Sequence, residues 1–175
     1  MKLRFIISLL ALTLSFSQLS AQRKNKAYLD YIEKYSSLAV KHQKQYGIPA
    51  SITLAQGLLE SGAGRSELAR MSNNHFGIKC HSDWKGKRVY YDDDKKDDCF
   101  RKYNKPEDSF EDHARFLKRA RYASLFELKV TDYRGWAKGL KRCGYATDKS
   151  YANKLIQTIE LYELCLLYTS DADDE

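Results

Sequence analysis

Residues 46–66 read YGIPASITLAQGLLESGAGRS, and the fold turns on how this stretch is understood. Pro49 suits the first turn of a helix and Gly62 the position just past its end, so a helix is predicted between them. Within it Ile52, Ala55 and Leu59 form an apolar stripe, while Gln56 and Glu60, four residues apart, share another face. Glu60 then sits in the last turn, beside carbonyls whose partial negative charge favours cations. That position costs an ionised carboxylate roughly 0.3–1 kcal/mol, enough to raise its pKa by well under one unit. Partial burial against aromatic side chains would supply the rest. A carboxyl group so placed keeps its proton near neutral pH and is available as a general acid. The competing reading is an ordinary surface glutamate.

Working outward, Tyr28, Ile32, Tyr35, Leu38 and Tyr46 recur at helical intervals, which predicts an amphipathic helix over 24–46. On the other side, SELARM (66–71) reads as a short helix capped by Ser66. From Phe76 to Tyr103 the period changes. Val89–Tyr91 and Cys99–Tyr103 read as two strands joined by the acidic turn DDDKKDD (92–98). Three helices follow: EDSFEDHARFLKRA, beginning near Asp108 or Ser109; DYRGWAKGLKRC, after Asp132; and KSYANKLIQTIELYEL. With no internal repeat and two prolines, a single domain is expected. The fold class is α+β, mainly α, with one small β-hairpin.

Both ends differ from this body. Residues 1–21 have a basic start, an apolar run from Phe5 to Phe16 and small residues at Ser20 and Ala21, the pattern of a secretory signal peptide. The run is too short and too diluted by Ser and Gln to read as a membrane span. Residues 165–175, CLLYTSDADDE, abandon the helical period and read as a non-native or disordered tail, similar to translated adapter sequence. The expected domain is therefore 22–164, in an exported protein of the periplasm or cell exterior. It carries 28 basic against 19 acidic residues, a net charge of about +9 where the whole chain has +7. Such a charge favours polyanionic surroundings, although solubility alone would also account for it.

Cys80 and Cys99 flank the hairpin, and in an exported protein a disulfide between them is predicted. His75, Cys80, His81 and Cys99 lack the paired short intervals of a zinc site, so neither metal nor cofactor is expected. Cys143 has no clear partner once Cys165 is set aside. His113, amid Phe110, Phe116 and Leu117, reads as a packed or surface residue. No serine–histidine–aspartate order or phosphate-cradling glycine loop points to other chemistry.

The segments ASITLAQGLLESGAGRSELA, NNHFGIK, DWKG, CFRKY, SFEDHARFL and GYATDKSYANKLI, in this order between Tyr46 and Leu161, resemble the bacterial endo-β-N-acetylglucosaminidase domains of glycoside hydrolase family 73. The resemblance implies a lysozyme-like fold and cleavage of the β-1,4 bond after N-acetylglucosamine in peptidoglycan. It assigns the general acid to Glu60 and puts Asn73, Asn74, Phe76 and Gly77 in the cleft, with Gln56 beside them. It also implies a second carboxylate on the hairpin, after Trp84-Lys85-Gly86. No glutamate stands there, so Asp92, Asp93 and Asp94 are the candidates. Attack by the substrate's own 2-acetamido group is a further route. Tyr145 and Tyr151 match cleft tyrosines of the family, Tyr145 being the candidate to orient water or the acetamido group and Tyr151 equally consistent with packing. Trp84 and Tyr103 are candidate sugar-stacking platforms, with capping of the core as the alternative for either. The expected partner is the peptidoglycan glycan strand, met by a monomer, with no nucleic acid and no stable membrane insertion. The chitobiose core of mannosyl glycoproteins is the alternative substrate. A lytic transglycosylase using one glutamate and a non-catalytic wall-binding module are the competing functions.

Overall fold

The computed structural model describes residues 24–93 and 96–168; the signal-peptide reading and Asp94 lie outside them. Helix α1 (Lys26–Tyr46) begins where the Asn25 side chain accepts the Ala27 N–H and ends at Gly47. Helix α2 (Ala50–Ser61) follows, with Pro49 and Gly62 at its two caps. Gly62 has φ 56°, a left-handed conformation that glycine adopts without Cβ strain, and its N–H caps the Leu58 carbonyl.

Every residue from Ala50 to Leu58 is buried, including Ser51, Thr53 and Gln56. The predicted stripe is thus too narrow. α1 and the C-terminal helices described below surround α2, so it is an interior helix without a solvent face along most of its length. Its contact with α1 is close at Gly57, where an added Cβ would lie 2.4 Å from the Tyr31 hydroxyl.

Ser66 caps the short α3 (Glu67–Ser72) by accepting the Ala69 N–H. Strands β1 (Arg88–Tyr91) and β2 (Asp98–Arg101) pair antiparallel, with Val89 opposite Phe100 and Tyr90 opposite Cys99. The segment after α3 lies along the outer side of β2: Arg101 N–H donates to Ile78 at 3.0 Å and Cys80 N–H to Cys99 at 2.8 Å. The Cys80–Cys99 disulfide closes this same pairing, with Cα atoms 5.4 Å apart. A partly buried ion pair fixes the hairpin to the helices. Arg101 Nη1 donates to both Asp112 carboxylate oxygens at 3.0 and 2.9 Å, and the Tyr103 hydroxyl donates to Asp112 at 2.6 Å.

Helix α4 (Pro106–Leu117) starts earlier than Asp108 because Pro106 occupies its first turn, where a preset φ helps and a missing N–H costs nothing. A 3-10 segment, Ala120–Glu127, follows; sequence periodicity did not reveal it. Its two buried residues, Tyr122 and Leu125, are three apart, which suits three residues per turn and is too short a pattern to recognise. Helices α5 (Tyr133–Arg142), capped by Asp132, and α6 (Tyr151–Leu161) pack on each other and on α2. The chain then forms a second 3-10 segment, Leu164–Tyr168, with Leu164 buried and Cys165 and Leu167 packed against the core. Packing against the core therefore continues past 164 to Leu167; positions 169–175 lie outside the described residues. Among the described residues no helix is long and apolar enough to cross a membrane.

Candidate active site

The last turn of α2 presents Glu60 to a groove of about 320 Å3. The segment Phe76–Lys79 and Asp93 of the hairpin turn contribute to its walls, as do Arg121, Tyr122 and the loop Gly144–Asp148 between α5 and α6. Glu60 is partly buried, and its pKa is pushed up to about 7. Burial is the main cause; the Tyr151 hydroxyl, donating to Oε1 at 2.7 Å, opposes it, and the negative charge of Asp93 adds to it. The last turn of α2 holds no basic residue to offset its carbonyl charge. A protonated carboxyl at the wall of an open groove can deliver a proton to a bound ligand at neutral pH.

Behind Glu60 lies a polar chain within the core. Gln56 Nε2 donates to the Tyr151 oxygen at 2.9 Å, and Gln56 Oε1 lies 3.1 Å from His113 Nε2. Gln56 and His113 are completely buried. Gln56, expected in the cleft, therefore does not line the groove; the interior position of α2 turns it toward α6. His113 is packed rather than superficial, its ring stacked on Phe76 at 3.9 Å.

Tyr145 lines the groove and stacks on Tyr151 at 5.8 Å between ring centres. Its hydroxyl donates to the Phe76 carbonyl at 3.4 Å, and burial, aided by Glu60, holds its pKa well above the usual tyrosine value. Two cations that sequence reading did not single out hold this loop in shape. Arg121 Nε donates to the Cys143 carbonyl at 3.1 Å and Nη2 to Gly144 at 3.1 Å. Lys141 Nζ donates to Ala146 and Thr147 at 3.0 and 2.8 Å. The Arg121 contact spans more than twenty residues and comes from the unrecognised 3-10 segment, so no local pattern announced it.

The three hairpin aspartates separate. Asp93 lines the groove and pairs with Lys79 Nζ at 3.5 Å. Asp92 instead accepts the Asp97 N–H at 2.8 Å, closing the turn, and is not among the groove-lining residues. Asp94 is outside the described residues.

Of the four NNHFGIK residues expected in the cleft, Phe76 and Gly77 reach the groove, joined there by Ile78 and Lys79. Asn73 does not: it caps α3 at φ 55° and its Nδ2 donates to the Tyr103 and Asn104 carbonyls. Asn74 is buried and donates to the Ile78 and Arg101 carbonyls at 3.0 and 2.9 Å, tying the segment to the hairpin. Trp84 and Tyr103, expected as sugar platforms, line a separate hollow with Asp112. The Arg101 guanidinium lies 4.6 Å over the Trp84 ring, and Tyr103 meets that ring edge-on, so both brace the hairpin base. Cys80 and Cys99 are committed to their disulfide and so cannot be thiolate ligands.

Solved structures share this architecture. The chain superposes on a crystal structure of peptidoglycan hydrolase from Sphingomonas sp. A1 with TM-score 0.69 and 32% identity, covering 83% of this chain and 96% of that one. Residues 36–164 match the glucosaminidase family, described as mannosyl-glycoprotein endo-beta-N-acetylglucosaminidase, and the chain belongs to this glycosidase family. Similar sequences include the peptidoglycan hydrolase FlgJ of Vibrio parahaemolyticus, 33% identical over 76% of this chain and 47% of the relative. The exo-glucosaminidase LytG of Bacillus subtilis is 34% identical over 77% of this chain and 51% of its own length. The matched region thus spans about half the length of these relatives.

Proposed function

We propose that this domain hydrolyses the β-1,4 bond following N-acetylglucosamine in peptidoglycan, with Glu60 as general acid. The observation that carries this reading is a groove-lining carboxyl whose pKa is pushed up to about 7. Family membership supplies the sugar chemistry, and the names of the relatives support peptidoglycan as the polymer. Glu60 donates its proton to the departing glycosidic oxygen as the bond to the anomeric carbon breaks. Asp93, on the hairpin turn, takes a proton from the water that adds to that carbon; Lys79, which donates to Asp98 at 2.8 Å, lies 3.5 Å from its carboxylate. Tyr145 contacts the sugar from the α5–α6 loop, while Tyr151 holds Glu60. The protein acts as a monomer after export, directed by residues 1–21, and its net positive charge favours residence on an anionic wall.

Zymography in a peptidoglycan gel tests this reading. A cleared band is expected from the wild type and none from Glu60→Gln, with N-acetylglucosamine at the new reducing ends. Anhydro-muramyl ends would instead identify a lytic transglycosylase, and binding without clearing by the wild type would identify a wall-binding module.

A further inference from the structure

The chain from His113 through Gln56 and Tyr151 to Glu60 has a direction, and that direction can be deduced. Gln56 presents Nε2 to Tyr151 and Oε1 to His113, so the Tyr151 oxygen accepts from Gln56 and its own proton points to Glu60 Oε1. The opposite polarity would need His113 Nε2 to accept, which moves the ring proton to Nδ1. Nδ1 is buried with no hydrogen-bond partner. A buried N–H without an acceptor is rarer and costlier than an unfilled acceptor lone pair, so the proton belongs on Nε2. Stacking on Phe76 pins the ring plane. Burial pushes the His113 pKa down to about 3, and His42 of α1 adds to that, so the ring is neutral with a single proton to place.

We propose that His113 and Gln56 are positioning residues that fix the direction of the Tyr151 hydroxyl and so reserve Glu60 Oε2 for the proton delivered to substrate. With Oε1 occupied as an acceptor, the carboxyl proton has one oxygen left. The other titratable neighbours of Glu60 are Asp93 from the hairpin, which favours the protonated form, and Tyr145 from the α5–α6 loop, which is neutral. The relay acts through Tyr151, and its kinetic consequence rests on the proposed role of Glu60 as acid.

Two measurements test it, and the first does not depend on activity. Nitrogen-15 NMR of histidine-labelled wild type is expected to show His113 with Nε2 protonated and Nδ1 bare at neutral pH; the Nδ1–H form overturns the relay. In the second, Gln56→Met, Tyr151→Phe and the double variant are assayed on peptidoglycan across pH. Gln56→Met is expected to lower kcat about fivefold at unchanged KM, the size of one hydrogen bond. Its alkaline limb should move to higher pH, because ionised Glu60 loses support from a directed hydroxyl. The double variant should match Tyr151→Phe alone, since Gln56 acts through that hydroxyl. Losses that multiply, or an alkaline limb that stays in place, mean the chain merely satisfies polar groups in the core. An inactive wild type would refute the glycosidase reading and leave the tautomer measurement to decide the relay.

Discussion

Two of the carboxylates lining the groove, Glu60 and Asp93, stand on very different foundations. Glu60 projects from an interior helix, hydrogen-bonded from behind by Tyr151 and flanked by side chains the core has already packed. Asp93 sits on a turn between two four-residue strands, held by an ion pair to Lys79 and, more distantly, by the Arg101–Asp112 bridge and one disulfide. The helical side uses burial to keep a proton where it is needed. The hairpin side keeps a charge half exposed, on two short strands whose buried residues are Phe100 and Arg101. The groove therefore joins a rigid wall that sets a pKa to a lighter wall that places a charge, and each should fail in its own way.

Glu60→Gln should produce the largest effect, a loss of about 10²–10⁴ in kcat, the usual contribution of a general acid. The same variant should also be more stable than the wild type, by a margin that grows as pH climbs toward 7. A carboxyl whose folded pKa is raised destabilises the fold as pH climbs from the ordinary carboxylate pKa through about 7, and Gln carries no such penalty. Thermal melts at pH 5 and pH 8 measure it: the gain should be larger at pH 8, and an equal gain at both would deny the buried-charge account.

Asp93→Asn comes next, with an expected loss of about 10²-fold, the low end for a general base, while Asp92→Asn, whose carboxylate only closes the turn, should be affected far less. Full activity in Asp93→Asn would remove the hairpin from the chemistry and favour the acetamido group as nucleophile.

Replacing Cys80 and Cys99 by alanine should loosen one wall and spare the other. The bridge spans a separation of 19 residues, worth about 3 kcal/mol by chain entropy. Hydrogen exchange should show β1 and β2 losing protection while α2 keeps it. Equal loss in both would mean the two walls form one cooperative unit.

The smallest effect is expected from Gly57→Ala. Its Cβ would strike the Tyr31 hydroxyl, which is bonded to His75 at 3.0 Å, so stability should fall by about 1–3 kcal/mol with catalysis otherwise retained. An unchanged melting temperature would show that α1 and α2 can separate freely at that point.

What could be read from the sequence follows the same division. Pro49, Gly62, Ser66 and Asp132 mark helix ends through local rules, and the structure has helix ends at each. Glu60 drew notice because it broke one of those rules. Gln56 looked like a cleft residue because it shares a helix face with Glu60, and Asn74 because its segment resembles the family's cleft lining. Both are inside, because an interior helix and a loop tied to the hairpin need their polar groups paired with the fold itself. Trp84 and Tyr103 allowed two readings for a related reason, since aromatic rings that suit sugars also suit an arginine in need of cover. The separation of Asp92 from Asp93 and the grip of Arg121 on Gly144 depend on tertiary placement, which no spacing in the chain encodes.

Direct titration of Glu60 tests the whole account most simply. Carbon-13 NMR of carboxyl-labelled glutamate, assigned by the signal missing from Glu60→Gln, should give a midpoint near 7 for this group. A midpoint near 4.5, the ordinary glutamate value, would show a solvated surface acid at position 60 and contradict the account.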